Sequence, residues 1–557
     1  MDDRHWHRAY DPGIPASLDY ESLTLPECFV RSAERHPDVT ALIFRNRRLS
    51  YRSLALDVAR MATALEGLGV GRGTRVAIQL PNLPQTVISY YATLMLGGEV
   101  VMTNPLYVER ELEHQWNDAE CAVAVVTDVL FERRIRAIRG SLPIRHYVVT
   151  AIPDYLGFPL NWIARVTLAR ATPPLIARVE PGEGVQSMRR LLAESRPMTR
   201  PPAPDLDEVA VVQYTGGTTG RAKGSLLTHR NLSANVQQVR AWFTDASVGR
   251  EVMLGALPFF HVFGMTVGMN FPVYVASTIV LVPDPRDLDL VVRSISKHRV
   301  TLFPGVPAMF NAITNRGDVD RLDLSSVAAC FSGAAPMPVS VIERFEALTG
   351  GRIVEGFGLS EASPVTHVNP LKGVRKIGSI GVPLPDTDAR VVDADTGMTD
   401  VPTGEAGELI IKGPQVMRGY WREPDATAEA LRDGWLFTGD LATVDEDGYF
   451  TIVGRKKDLI IAGGYNVYPD EIDAVLATHP AVLESATIGV PDARRGETVK
   501  SFIVLRPGAS VTADELEAFC REQLAAYKVP RLIEFRNELP KSAALKVLRR
   551  ELRESSS

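Results

Sequence analysis

The chain has 557 residues, 45% hydrophobic and 23% charged, which is more than one hydrophobic core supports, so two or more domains are expected. A formal charge of −6 argues against a nucleic-acid partner, which would show as a basic domain or stripe. Cys28, Cys121, Cys330 and Cys520 stand far apart with no CxxC or histidine pairing, so neither a zinc site nor a disulfide framework is expected and a reducing cytoplasm fits. Met1 to His7 lacks the basic-then-apolar layout of a signal peptide, and no apolar run approaches the roughly 18 residues that span a bilayer.

From Gly67 the elements come in a regular alternation. The Gly67–Gly73 run follows a helical stretch and precedes a strand, so it reads as a helix-ending turn and not a dinucleotide fingerprint. Arg75–Leu80, Glu99–Met102 and Cys121–Val126 read as strands, with helices over Gln85–Leu96 and Glu109–Ala119 between them. This is βα winding, with a parallel sheet expected. Phe158–Arg170, followed by Pro173-Pro174-Leu175-Ile176, mixes apolar and basic residues at near-helical spacing. It reads as a plain helix packed on the domain, with a helix resting on a membrane surface as the alternative. Ser195–Glu208, with four prolines, is a surface connection to the apolar strand Val209–Gln213.

That strand runs into Tyr214-Thr-Gly-Gly-Thr-Thr-Gly-Arg-Ala-Lys223-Gly224. Glycines permit close backbone approach to an anion, Thr215, Thr218 and Thr219 add hydroxyl donors, and Lys223 adds charge. The loop fits the phosphates of ATP, although a Gly/Thr-rich turn is often only a loop. It is no Walker motif, since Ala222 precedes Lys223 and Gly224 follows it. Further on stand Leu257-Pro-Phe-Phe-His261-Val-Phe-Gly264, Ser332-Gly-Ala-Ala-Pro336 and Glu355-Gly-Phe-Gly-Leu-Ser-Glu361. From about Thr387 to Phe450 short alternating segments such as Ala389–Val392 and Gly407–Lys412, closed by Tyr449–Val453, predict a small β-rich subdomain. Within and after it come Gly434-Trp-Leu-Phe-Thr-Gly-Asp440 and Gly454-Arg455-Lys-Lys457-Asp458. Helices near Pro469–Thr478 and Ala513–Ala526 follow, then Pro540-Lys-Ser-Ala-Ala-Leu-Lys546. Residues 528–553 carry eight basic side chains against three acidic, a net of +5, which suits a phosphorylated ligand or a solvated surface alike.

These seven motifs, in this order, resemble those of the adenylate-forming superfamily of acyl-CoA synthetases, luciferases and peptide-synthetase adenylation domains. Leu80-Pro-Asn-Leu-Pro-Gln85 and Thr103-Asn-Pro-Leu-Tyr107 are similar to bacterial long-chain fatty-acid CoA ligases. The resemblance implies an α/β chain with a large N-terminal domain of doubly wound sheets over residues 1–454, a β-rich subdomain at about 387–454, and a mobile α+β C-terminal domain over 455–557 hinged near Lys457. It implies ligation of medium- and long-chain fatty acids to coenzyme A, dependent on ATP and Mg2+, through an acyl-adenylate. Fatty acid, ATP and coenzyme A are the expected partners, and peripheral contact at the inner membrane face and oligomerisation stay open.

Bringing a carboxylate to the α-phosphate of ATP sets two anions against each other, and charges about 4 Å apart are worth roughly 4 kcal/mol at an effective dielectric near 20. By resemblance Lys546 supplies the compensating charge, and His261 lies by the carboxylate. Glu361, with the Thr215 hydroxyl, would hold Mg2+. The nucleotide set is Thr215, Gly216, Gly217, Thr218, Thr219, Gly220, Lys223, Gly333, Ala334, Glu355, Gly356, Phe357, Gly358, Leu359, Ser360, Asp440, Arg455 and Lys457. Within it Phe357 stacks on adenine, where the family usually has Tyr, and Asp440 with Arg455 takes the ribose. Gly463 and Gly464, in the turn Ala462–Asn466, would line the pantetheine path. Gly264, Met265 and Gly268 would shape an acyl tunnel beyond His261, or pack a helix in the core. Leu545 departs from the Gly usual before the catalytic lysine, where a backbone without Cβ reaches unusual conformations, so slow adenylation is expected. The alternatives are an acyl-adenylate former using aryl acids or another acceptor, and a non-catalytic acyl or nucleotide binder.

Overall fold

The computed structural model describes residues 4–172, 174–215, 222–333, 335–462, 465–492, 496–542 and 547–556. Among these, the strands form four sheets. In the eight-stranded sheet, Arg75–Gln79, Glu99–Met102, Val123–Thr127, His146–Thr150, Val185–Ser187 and Val209–Thr215 run parallel. Every residue of Arg75–Gln79 and of Val123–Thr127 is buried, as expected for parallel strands covered on both faces, whose sequence is apolar without alternation. The nine-stranded sheet has a parallel centre, with Thr40–Phe44, Thr278–Leu281, Val252–Gly255, Leu302–Gly305, Ala329–Ser332 and Arg352–Gly358 adjacent in that order.

One apolar core joins these two sheets and takes in Val76, Ile78 and Val100 from the first and Leu42, Ile279 and Leu281 from the second. The helix Pro84–Met95 is buried at every position, so it is covered all round instead of on one stripe. Its two tyrosines are paired: Tyr91 donates to Asn270 Oδ1 at 2.9 Å, and Asn270 Nδ2 donates to Tyr90 at 3.1 Å. After the helix Tyr51–Gly67 the chain turns through Gly69 and Gly73, both at positive φ, so the glycine run is the helix-ending turn the sequence predicts.

The third sheet is antiparallel and contains Asp388–Val392, Gly407–Lys412, Leu431–Arg432, Trp435–Val444 and Phe450–Arg455. The predicted β-rich region is there, with one difference. Inside its span, Gly419–Tyr420 leaves it and pairs with Ser225–Leu226 at the edge of the eight-stranded sheet. The fourth sheet contains Ile460–Ala462, Tyr465–Val467, Val482–Asp492, Gly496–Leu505 and Leu532–Phe535. It packs helices Pro469–Ala477 and Ala513–Gln523 through Ile472, Leu476, Leu516 and Cys520.

Leu160–Arg170 is a helix that touches the core only through Leu160 and Ala164, with no fully buried residue. Among the described residues no helix is long and apolar enough to cross a membrane. All four cysteines are free and buried, and burial raises each thiol above its ordinary range.

Candidate active site

A cavity of about 620 Å³ receives residues from the first three sheets or the loops around their strands, and Ser542 from the segment after the fourth. Thr215 ends its strand, Val306 follows Leu302–Gly305, and Ser332 and Gly333 close Ala329–Ser332. The cavity therefore lies at carboxyl ends of parallel strands, where open α/β sheets bind ligands.

Fourteen of the residues the sequence singles out line it: Thr215, Lys223, His261, Gly264, Gly333, Gly356, Phe357, Gly358, Leu359, Ser360, Glu361, Asp440, Arg455 and Lys457. Gly216, Gly217, Thr218, Thr219, Gly220, Ala334, Gly463, Gly464, Leu545 and Lys546 lie outside the described residues.

The phosphate-loop sequence joins two strands: Val209–Thr215 and Lys223–Thr228 run antiparallel, with Thr215 opposite Lys223. Its stem is tied down by the Tyr214 hydroxyl, which donates to Asp118. The Lys223 ammonium sits 5.4 Å over the Tyr420 ring, a cation–π contact.

Phe357 lies on a strand paired to His367. A Cβ on the next residue, Gly358, would fall 2.4 Å from the Pro364 carbonyl oxygen, so only glycine lets the two segments approach this closely. Asp440 and Arg455 are cross-strand partners in the third sheet. Arg455 Nε meets Asp440 Oδ1 at 2.9 Å, and the Asp440 carboxylate is the main influence raising the guanidinium above its usual range. Asp458, three residues on, pairs with Arg553 at 2.9 Å. Lys457 is drawn below the ordinary lysine range by partial burial and by Arg455.

Three expected residues stand off the lining. Glu355 is buried, and its carboxylate accepts from the Met337 and Gly378 amides at 3.2 and 2.9 Å. Its oxygens are used to join backbone segments behind the site, and burial raises its pKa. Met265 is fully buried in the core that joins the two large sheets, while a Cβ on Gly268 would only touch the Phe259 ring at 3.4 Å. Gly264 does line the cavity, but a Cβ there would fall 2.2 Å from the Pro258 carbonyl oxygen. It is required by backbone approach more than by tunnel depth. His261, in an apolar frame usual for a core histidine, is exposed and lines the cavity.

The model of the AMP-binding enzyme family matches residues 29–421, and that of the AMP-binding enzyme C-terminal domain matches residues 471–546. The chain belongs to the AMP-binding enzyme family. It is 45% identical to a long-chain-fatty-acid–CoA ligase of Bacillus subtilis (strain 168), over 99% of this chain and 98% of that one. In fold it is similar to an anthranilate CoA ligase in complex with anthranoyl-AMP, with TM-score 0.83, 28% identity and 97% and 98% of the chains covered. It is likewise similar to ATP-bound MatB from Rhodopseudomonas palustris, with TM-score 0.81, 30% identity and 96% and 99% covered.

In this AMP-binding enzyme, sequence reasoning misses three side chains at the cavity. The Tyr420 hydroxyl donates to Glu361 Oε1 at 2.8 Å, and burial, reinforced by that carboxylate, raises its pKa so that it remains a donor. Glu408 accepts from the Gly439 amide and from Lys456 Nζ, each at 3.1 Å, fixing the turn before Asp440. Ser542, four residues ahead of Lys546, lines the same cavity. Tyr420 and Glu408 belong to no motif the sequence reading used, and Ser542 lies in the Pro540–Lys546 motif without having been singled out. A Gly-Tyr pair in a two-residue strand carries little local signal.

The segment leading to Lys546 is held at both ends. Lys541 bridges to Val547, and the Leu548 amide donates to the Pro540 carbonyl at 2.8 Å. Arg549 reaches back to the helix Pro469–Ala477, donating to Asp470 and, at 2.6 Å, to Asp473. Lys541 pairs with Glu484.

Proposed function

We propose that this AMP-binding enzyme joins medium- and long-chain fatty acids to coenzyme A, splitting ATP to AMP and pyrophosphate through an acyl-adenylate. The observation that carries this is the single cavity that collects the Thr215–Lys223 hairpin, Phe357, Glu361, the Asp440–Arg455 pair and His261, with Ser542 from the C-terminal segment. The full-length similarity to a curated fatty-acid ligase supports the substrate class.

ATP lies with adenine on Phe357, its ribose hydroxyls on the acceptor oxygens of Asp440, and its phosphates toward Lys223 and the hairpin tip. Thr215 and Glu361 both line the cavity, and this small set of hard oxygen donors suits Mg2+, which keeps waters and takes phosphate oxygens beside one or two carboxylates. The bound ion would neutralise phosphate charge. Tyr420 keeps the Glu361 carboxylate oriented for it. The fatty-acid carboxylate enters by His261. Lys546 offsets the repulsion as the carboxylate oxygen attacks the α-phosphate and pyrophosphate leaves.

In the second step the coenzyme A thiol attacks the acyl carbonyl, expelling AMP. The C-terminal domain, taken as residues 455–557, turns about Lys457 between the two steps. Its sheet begins at Ile460, just after Arg455 ends the third sheet, so a hinge here breaks no strand pairing. The turn carrying Gly463 and Gly464 then meets pantetheine. We place the reaction in the cytoplasm, with acids taken up at the inner face of a membrane.

Pyrophosphate release from ATP and Mg2+ across a series of fatty acids, with and without coenzyme A, tests this. Coenzyme-A-dependent turnover that is highest on the longer acids is expected, and Leu545→Gly should speed adenylation. Turnover confined to aryl acids, or no pyrophosphate from any acid, overturns it.

A further inference from the structure

The segment after the eight-stranded sheet's His146–Thr150 strand exposes apolar side chains that have no structural employment. Phe158 is 85% and Trp162 65% exposed, with Ile163 and Leu175 also open to solvent. The helix Leu160–Arg170 turns Leu160 and Ala164 to the core, so its outward face carries Trp162 and Ile163. The segment is nonetheless firmly placed. Gly157 exchanges two hydrogen bonds with the Asn46 side chain at 2.9 and 3.1 Å, and the Leu175 amide donates to the Leu168 carbonyl at 2.8 Å.

Its electrostatic setting is unlike the rest of the chain. No carboxylate occurs from residue 155 to 179. The helical stretch over residues 131–139, which carries Arg133, Arg134, Arg136 and Arg139, is docked on the segment, with Arg133 donating to the Pro174 carbonyl and the Ala177 amide donating to Asp128 at 3.0 Å. Residues 128–180 hold eight arginines against four carboxylates, in a chain whose formal charge is −6.

We propose that this feature is the membrane-docking surface of the enzyme, with Phe158, Trp162, Ile163 and Leu175 entering the headgroup region and the surrounding arginines selecting anionic lipid. It rests on the membrane contact inferred above and names the surface that makes it. Aromatic and aliphatic side chains beside arginines are the composition that partitions to a bilayer interface, and anionic lipids attract basic segments within a Debye length. A fatty acid is itself lipid-borne, so docking brings the cavity to its substrate.

The test is sedimentation of the full chain with phosphatidylglycerol-containing vesicles and with neutral phosphatidylcholine vesicles. Binding to the anionic vesicles is expected, weakened as salt rises from about 0.1 to about 1 M. Phe158→Ser/Trp162→Ser should lower it by roughly tenfold or more, and Arg133→Gln/Arg170→Gln should lower it without removing apolar surface. Circular dichroism melts check that the variants fold, and ligase activity on a short soluble acid should be unchanged. No vesicle binding, equal binding to both lipids, or binding indifferent to both variants overturns the proposal. So does a wild-type dimer that the serine variant dissociates while vesicles are ignored, because a second copy would then be the occupant. Activity without vesicle binding sinks this surface and leaves the ligase standing; vesicle binding without activity does the reverse.

Discussion

The two sides of the cavity are built differently. The nucleotide side is made of paired strands in close contact: Phe357 against His367, Asp440 opposite Arg455, and a Gly358 that no larger residue can replace. The C-terminal side reaches the cavity through Ser542, on a stem tied by Lys541 to Glu484 and by Arg549 to Asp470 and Asp473, residues of the same C-terminal segment. On the reading proposed above, a wall that holds the adenosine group through both steps is fixed by backbone geometry. A stem that turns away after the first step is, on the same reading, tied within its own segment.

The sharpest break of this comparison is Lys546→Ala. It should slow pyrophosphate release by about 100- to 1,000-fold, the usual effect of deleting one group aimed at developing charge. ATP binding by calorimetry should change little, because the nucleotide wall is intact. Coenzyme A attack on pre-formed acyl-adenylate should survive, measured as AMP release; equal loss of both steps would count against a lysine that serves only the first.

Next in size is Arg549→Met. It strands the half-buried Asp473 and Asp470 without their cation, and losing hydrogen bonds to a charged group costs about 1.5–3 kcal/mol. The urea midpoint of the C-terminal domain should fall while the midpoint of the large domain stays. Adding Asp470→Asn and Asp473→Asn should recover part of the loss; no recovery would mean that Arg549 packs instead of pairing.

How much of this was legible in the sequence follows the same division. Runs such as Val76–Ile78 and Val123–Val126 are apolar throughout because both faces are covered, so the parallel sheet could be read directly. Phe357, Asp440 and Arg455 were legible because each lies in a motif. What escaped depends on pairing between distant segments. Nothing local announces that Lys223–Thr228 folds back on Val209–Thr215, that Gly419–Tyr420 abandons its own sheet to pair with Ser225–Leu226, or that Tyr420 reaches Glu361. Glu355 shows the converse, since its motif position points to the ligand while its carboxylate serves backbone amides behind the wall. The Gly264–Gly268 stretch is similar. Its spacing fits a tunnel or a packed helix, and the contact with Pro258 favours packing at Gly264.

The large domain also carries two histidines that the C-terminal domain has no counterpart for among the described residues. Burial lowers both His229 and His367 to about 3. An unfolded histidine titrates near 6.5, so below that pH the unfolded chain takes up protons that the fold refuses. Stability is complete above about pH 7 and is lost as pH falls from about 6.5 toward about 3, by up to about 1.4 kcal/mol per pH unit for each histidine. Urea midpoints at about pH 7.5 and 5.5 should drop for the large domain, and His367→Asn should reduce the drop. A pH-independent midpoint would mean that both rings are solvated or charge-paired.

The smallest effect sharpens the comparison most, because it concerns a residue that bridges structures. Tyr420 stands on the strand that leaves the third sheet, donates to Glu361 and lies under Lys223. Tyr420→Phe keeps the ring, and so the cation–π contact and the packing, while removing the hydroxyl that donates to the carboxylate. A single bond to a charged group should be felt as an increase of about three- to tenfold in the Mg2+ needed for half-maximal ATP binding. Titration calorimetry of ATP over a range of Mg2+ concentrations measures this, with metal-free ATP binding unchanged. If instead metal-free binding falls and the Mg2+ dependence does not move, the hydroxyl supports the phosphate hairpin, and Glu361 is oriented by its own backbone.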